Sequence, residues 1–264
     1  MELTTLIGVV IGVLAIIGAM IFKHISFSVF INPAAILIIF VGTAASVLNA
    51  FPGSVLKKTG VLFKIIFTKQ KGITETDIIR LMIELSAVAK KDGLLALEKK
   101  VEEIEEPFIK KGVRMVVDGI QGDVIEEILE SEIRAMEKRH DIHASIFSSA
   151  GMYAPTLGVL GAVFGLIAAM ASIDDTALMS EAIAAAFIAT ILGIFTGYVL
   201  WSPFSKKLKV KSQNEVMIKN LILTGLLSIQ KGDPPFMLRE KLLAALPSAM
   251  QDKVMSEITG KSEE

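Results

Sequence analysis

Apolar positions in this chain fall into two regimes. Four windows, 5–22, 33–55, 149–172 and 182–204, are almost wholly apolar and hold no Asp, Glu, Lys, Arg or His. A helix needs roughly 20 such residues to cross ~30 Å of hydrocarbon, so each window predicts a membrane span. Four charge-free runs of this length fit poorly into a soluble core.

Outside the windows the pattern becomes amphipathic. Behind a capping-box pair, Thr74 and Asp77, the residues Ile78, Leu81, Met82, Leu85 and Val88 recur at helical spacing until Gly93. Leu97, Val101 and Ile104 mark a second helix over 94–104, which stops before Pro107. Asp123 and Glu126 open a third, carrying Ile125, Ile128, Leu129, Ile133 and Met136, that can run straight into the third span. After Phe204, Ile218, Leu221, Ile222, Leu226 and Ile229 keep the same period up to Gly232 and the Pro234–Pro235 pair. Period-two alternation is missing from the sequence. The expected fold is an all-α integral membrane protein: four transmembrane helices, a cytoplasmic helical domain between the second and third, and a C-terminal cytoplasmic helix. The expected divisions are 1–55 (spans one and two), 56–148 (cytoplasmic domain), 149–204 (spans three and four) and 205–264 (tail).

Charge sets the orientation. Of 27 Lys and Arg, all but Lys23 lie in 56–148 and 205–264, which makes those stretches and both termini cytoplasmic, on the inner face of the cell membrane. Tyr198, Trp201 and Phe204 fall where the fourth span meets the inner headgroups, a position aromatic rings favour. Composition agrees, at 52% hydrophobic with a mean hydropathy of +0.60. The net charge of −1 offers no basic surface for nucleic acid, and the lack of Cys removes disulfides and thiolate chemistry. Met1–Glu2 form no basic leader, so the first span is expected to remain rather than be removed as a signal peptide.

Candidate chemistry is sparse. His140 and His143 form an H-x-x-H pair without a third ligand motif, and neither a phosphate loop nor a nucleophile elbow is present. No enzyme activity and no cofactor are expected. Charges crowd the cytoplasmic helices, among them Lys90, Lys91, Glu98, Lys99 and Lys100; they form either a solvated face or a docking surface. Gly158, Gly161, Gly165, Gly193 and Gly197 permit close helix packing in spans three and four, within one subunit or between subunits. Pro155 and Pro203 each remove a helix hydrogen bond, and Thr156, Thr190 and Thr196 can bond back to their own helix. Asp174 and Asp175 in the outer loop either gather cations or form a hydrated turn.

Ion-coupled membrane machines place an ionisable side chain inside the membrane, at a cost of roughly 2.5–3.5 kcal/mol on insertion scales. These spans have none. Either the chain moves no ions, as a scaffold or sensor would not, or another chain lends the carboxylate. A stand-alone transporter fits least.

The third and fourth spans, YAPTLGVLGAVFGLI from Tyr153 and FIATILGIFTGYVLWSPF from Phe187, resemble those of MotA proteins in the MotA/TolQ/ExbB proton channel family. So do NPAAILII from Asn32 and KKDGLLALE from Lys90, and the likeness runs along nearly the whole chain. The related ExbB and TolQ proteins have three spans and an outward N-terminus. The resemblance implies a flagellar motor stator subunit: a homopentamer in the inner-membrane lipid around two helices of MotB, which supplies the transmembrane Asp and the peptidoglycan anchor. It implies rotor contact with FliG through Lys90 and Glu98, with Lys91 adjoining; many relatives carry Arg at the first of these. Pro155 and Pro203 match the prolines tied to torque, and Thr190 the threonine facing the partner's aspartate. Sodium-type relatives carry threonines where Ala162 and Ala189 stand here, so the transported ion is expected to be H⁺ rather than Na⁺.

Overall fold

Every regular element in the computed structural model, which describes residues 2–69 and 72–259, is helical. Besides short helical turns at Phe27–Phe30, Gly53–Leu56 and Leu94–Ala96, these are, in chain order, α1 (Leu3–Phe22), α2 (Pro33–Ala50), α3 (Thr59–Phe67), α4 (Glu75–Asp92), α5 (Leu97–Glu103), α6 (Pro107–Val117), α7 (Gly122–Ala171), α8 (Thr176–Gln230), α9 (Pro235–Ala244) and α10 (Ser248–Thr259). Four of them, α1, α2, α7 and α8, are long and apolar enough to cross a membrane. The chain folds into two compact units, 1–70 with 139–211, and 71–138 with 212–264.

In the first unit, two span boundaries differ from the expected ones. Phe51 is extended ahead of Pro52, so α2 ends at Ala50 rather than at 55. The fourth span helix, α8, starts at Thr176 rather than 182, because the Asp175 carboxylate caps it by accepting from the N–H groups of Ala177 and Leu178 at 3.0 and 3.1 Å. Asp175 therefore belongs to helix architecture, and the turn before it shrinks to 172–175. Each of α2 and α8 contains a widened π-type turn, at Leu37–Val41 and Thr196–Trp201.

Helix α3 lies outside the elements that periodicity predicts. Its Leu62 and Ile66 are buried, and Phe63 and Phe67 enter a ring cluster with Phe147, Trp201 and Phe204 at centroid separations of 5.1 to 6.4 Å. Edge-on aromatic pairs of this kind contribute about 0.5–1.5 kcal/mol each beyond burial. A polar clasp fixes the end of the same helix. Lys211, only 9% exposed, donates to the carbonyls of Ile65 and Thr68 at 2.7 and 2.6 Å. Glu2 pairs with Lys207 at 2.9 Å and Lys211 at 3.1 Å, while its N–H donates to the Phe67 carbonyl. Lys207 and then Lys211 hold the Glu2 carboxyl below the usual carboxylate range.

The second unit holds α4, α5, α6, α9 and α10, with the early part of α7 and the late part of α8. Ile78, Met82, Leu85, Leu97, Ile109 and Leu129 lie at its core. Thr74 Oγ1 accepts from the Asp77 N–H at 3.2 Å and the Asp77 carboxylate accepts from the Thr74 N–H, the predicted capping box. Gly93, at φ 84°, then turns the chain in the left-handed region where a side chain is strained. The helix predicted over 94–104 is a single tight turn at Leu94–Ala96 followed by α5. Helix α6 is an addition to the predicted elements, although Glu106 caps it and Pro107 occupies its first turn. Beyond Gly232, Asp233 accepts from Lys241 Nζ and Ser228 Oγ; Lys241 chiefly, then Ser228, keeps its carboxyl low.

Candidate functional site

A ladder of small residues joins α7 to α8 in antiparallel order. A Cβ placed on Gly158 would lie 2.8 Å from the Ala189 carbonyl oxygen and 3.1 Å from Gly193 Cα. One on Gly193 would meet the Ala154 carbonyl at 2.7 Å. The rungs continue with Gly161 against the Ala189 methyl, Gly165 against Ala186, and Gly197 against the Pro155 ring. Such distances are open only to glycine, so the G-x-x-x-G signals found in the sequence serve packing within one chain. Backbone-to-backbone contact replaces the side-chain layer that would otherwise separate two helices.

The structure distributes the sequence-selected residues along this seam. Pro155, half-buried, lies against Gly197, and Ala189 is 2% exposed against Gly161. Ala162 is half-buried on α7. Thr190 Oγ1 donates to the Ala186 carbonyl at 3.3 Å, and Thr196 and Thr156 bond back likewise, to Leu192 and Tyr153 at 2.8 Å. These hydroxyls thus have partners in their own helix and need none from elsewhere. Pro203 is exposed, one residue into the segment Ser202–Gln230, directly after the widened turn. Proline and π-type turns are both places where a helix departs from regular winding.

Lys90, Lys91 and Glu98 form a separate group in the second unit. Lys90 and Lys91 sit in the last turn of α4 and Glu98 in the first turn of α5, the ends where the helix dipole favours each sign. All three are exposed, and none is ion-paired among the described residues. Lys100 and Glu102 behave differently, though Asp92 and Lys99 do not: Lys100 bridges Glu84 and Glu103 at 3.0 and 3.1 Å, and Glu102 holds Lys110 and Arg114. Between the unpaired charges stands Leu95, 74% exposed, which periodicity could not single out because it lies in a tight turn outside the helical phase. The His140–His143 pair gathers no third ligand, and no cluster of three or more candidate metal ligands occurs among the described residues.

Residues 100–220 match the profile of the MotA/TolQ/ExbB proton channel family. Motility protein A of Bacillus subtilis is 47% identical over 248 residues, covering 94% of this chain and 92% of that protein. A chain in the flagellar MotAB stator complex from Bacillus subtilis superimposes with a TM-score of 0.88 at 46% identity, covering 94% of this chain and 97% of that one. A chain of C. jejuni MotAB gives the same TM-score at 32% identity, with the same coverage. The chain belongs to the MotA/TolQ/ExbB proton channel family.

Proposed function

We propose that the chain is a stator subunit of a flagellar motor, and that with a MotB-type partner it forms a proton-conducting complex converting ion flow into torque. One observation carries this reading: the α7–α8 seam is closely packed, and the stretches 149–172 and 182–204 that form it hold no charged residue, so they can line a path but cannot relay a proton through a carboxylate of their own. The partner then supplies the transmembrane Asp. A homopentamer in the inner membrane encloses two partner helices, with both termini and the second unit on the cytoplasmic side, as the Lys and Arg distribution supports. The family is one of channels, not enzymes, and the chain needs no cofactor.

In this scheme Pro155 and Pro203 let the membrane helices change conformation, Thr190 faces the partner's aspartate, and Ala162 and Ala189 leave the path without the hydroxyls that a desolvating Na⁺ requires. Ligation of Na⁺ takes several oxygens, whereas a proton needs one acceptor. A reconstituted complex is therefore expected to turn on a pH gradient without Na⁺. Rotation on a sodium gradient at equal pH on both sides would overturn the assignment of the ion.

Lys90, Lys91 and Glu98 meet the rotor protein FliG, with Leu95 as an apolar contact between them. Charge reversal by Lys90→Glu or Glu98→Lys is expected to cut torque several-fold with normal protein levels, and opposite reversals on the rotor should partly restore it. Wild-type swimming of the double reversal with an unchanged rotor would remove these residues from the contact. The function as a whole is tested by proton flux into vesicles: the chain alone should give none and the chain with its partner should conduct. Full-rate flux without the partner would end the proposal.

A further inference from the structure

The formal charge of −1 conceals two opposite balances. Residues 1–70 and 139–211 hold ten Lys and Arg against five Asp and Glu, whereas the rest of the chain holds 17 against 23. The positive excess of the first unit is concentrated near α3. Lys57, Lys58, Lys64 and Lys69 lie in or beside that helix, and Lys206 and Lys209 lie on the stretch of α8 to which the clasp ties it. All six are exposed or half-buried, and none is ion-paired with a carboxylate among the described residues. Lys207 and Lys211, in the same stretch of α8, are by contrast consumed by Glu2 and by backbone carbonyls. The outward side of α3 also keeps Val61 and Ile65 exposed, 58% and 40%, four residues apart and so on one edge of the helix.

We propose that α3 and its six lysines form a binding surface for anionic phospholipid headgroups, with Val61 and Ile65 entering the acyl boundary beneath them. A helix with apolar residues between lysines matches a bilayer surface: the aliphatic parts of Lys side chains can lie along the apolar layer while the ammonium groups reach phosphates. Charge selects the lipid class, because unpaired ammonium groups favour phosphatidylglycerol-type over zwitterionic headgroups. The inner face of α3 is clamped by the aromatic cluster and by Lys211, so lipid held there bears on helices α1 and α8 as well. This inference rests on the membrane location of the chain and not on its ion or rotor roles.

The only tryptophan, Trp201, stands in the ring cluster behind α3, 6.4 Å from the Phe63 ring, and reports on adjacent lipid. The full chain would be reconstituted in phosphatidylcholine vesicles containing a minor share of either brominated phosphatidylglycerol or brominated phosphatidylcholine, and Trp201 quenching compared. Quenching should reveal a preference of about fivefold for the anionic lipid, the factor expected of one lysine at an anionic surface, and high salt should abolish it. Replacing Lys57, Lys58, Lys64, Lys69, Lys206 and Lys209 by Gln should remove the preference, and replacing them by Arg should keep it. Equal quenching by the two lipids would overturn the proposal, as it would if a second copy of the chain covered α3. A wild-type preference that survives high salt, or persists in the Gln variant, would overturn it too. The salt test needs no variant, so it decides the matter even if the Gln protein fails to insert.

Discussion

Gly193→Val should leave no assembled protein in the membrane. The first added carbon would stand 2.7 Å from the Ala154 carbonyl oxygen, 2.9 Å from Gly158 Cα and 3.2 Å from Gly158 N, all backbone atoms that cannot swing aside. Overpacking against movable side chains costs about 1–3 kcal/mol, and here the two helices themselves must part. Separation would break the neighbouring rungs at Gly158, Gly161 and Gly197, because they share the same interaxial distance. The measurement is the amount of chain in the membrane fraction and its co-purification with the partner. Gly8 is the control: a Cβ there meets nothing within 4 Å, so Gly8→Ala should be silent. Normal assembly of the Gly193 variant would show that the seam is looser than its geometry.

Pro155→Leu should have the opposite profile, with full assembly and no torque. Proline at 155 cannot donate to the Gly151 carbonyl within α7, and its ring lies where a Gly197 side chain would be, 2.7 Å from that Cβ position. Leucine restores the missing N–H and hence a complete hydrogen-bond ladder, which removes the weak point on which a conformational cycle can act. Because leucine also brings a branched side chain to Gly197, Pro155→Ala separates the two effects: it restores the hydrogen bond without the bulk and should stall the motor equally. Wild-type swimming speed in the alanine variant would show that the missing hydrogen bond plays no part in the drive.

Much of the architecture is legible in the sequence because it rests on strong, local signals. The four spans and the unbroken run of α7 follow from long charge-free windows and sustained helical period, and the start of α4 from one Thr–Asp pair. The elements that escape such a reading depend on tertiary context. Helix α3 has only nine residues, too few for its period to stand out, and is fixed by rings from α7 and α8 and by the carbonyl contacts of Lys211. Glu181 disqualifies the first turns of α8 as membrane-like, though Asp175 caps them efficiently.

The candidate site divides in the same way. Small residues in α7 and α8 are visible in the sequence, but only the folded structure reveals which glycine opposes which. Lys90, Lys91 and Glu98 look like many other surface charges in the sequence; resemblance selects them, and the structure adds that they are exposed and, like Asp92 and Lys99 beside them, carry no ion pair among the described residues, whereas Lys100 and Glu102 do.

The widened turn at Thr196–Trp201 accommodates an additional residue, and that residue sets the rotational phase of the downstream helix. An ordinary helix advances about 100° per residue, so winding this turn at normal pitch would spin the stretch from Ser202 to Lys211 by that angle about its own axis. Lys211 would leave the Ile65 and Thr68 carbonyls for solvent, and Phe204 would quit the rings it now meets. One residue of slack, placed just ahead of Pro203, is enough to swing the inward face of a whole segment by about a quarter turn. A machine that must alternate between two settings could move that slack along the helix instead of breaking it.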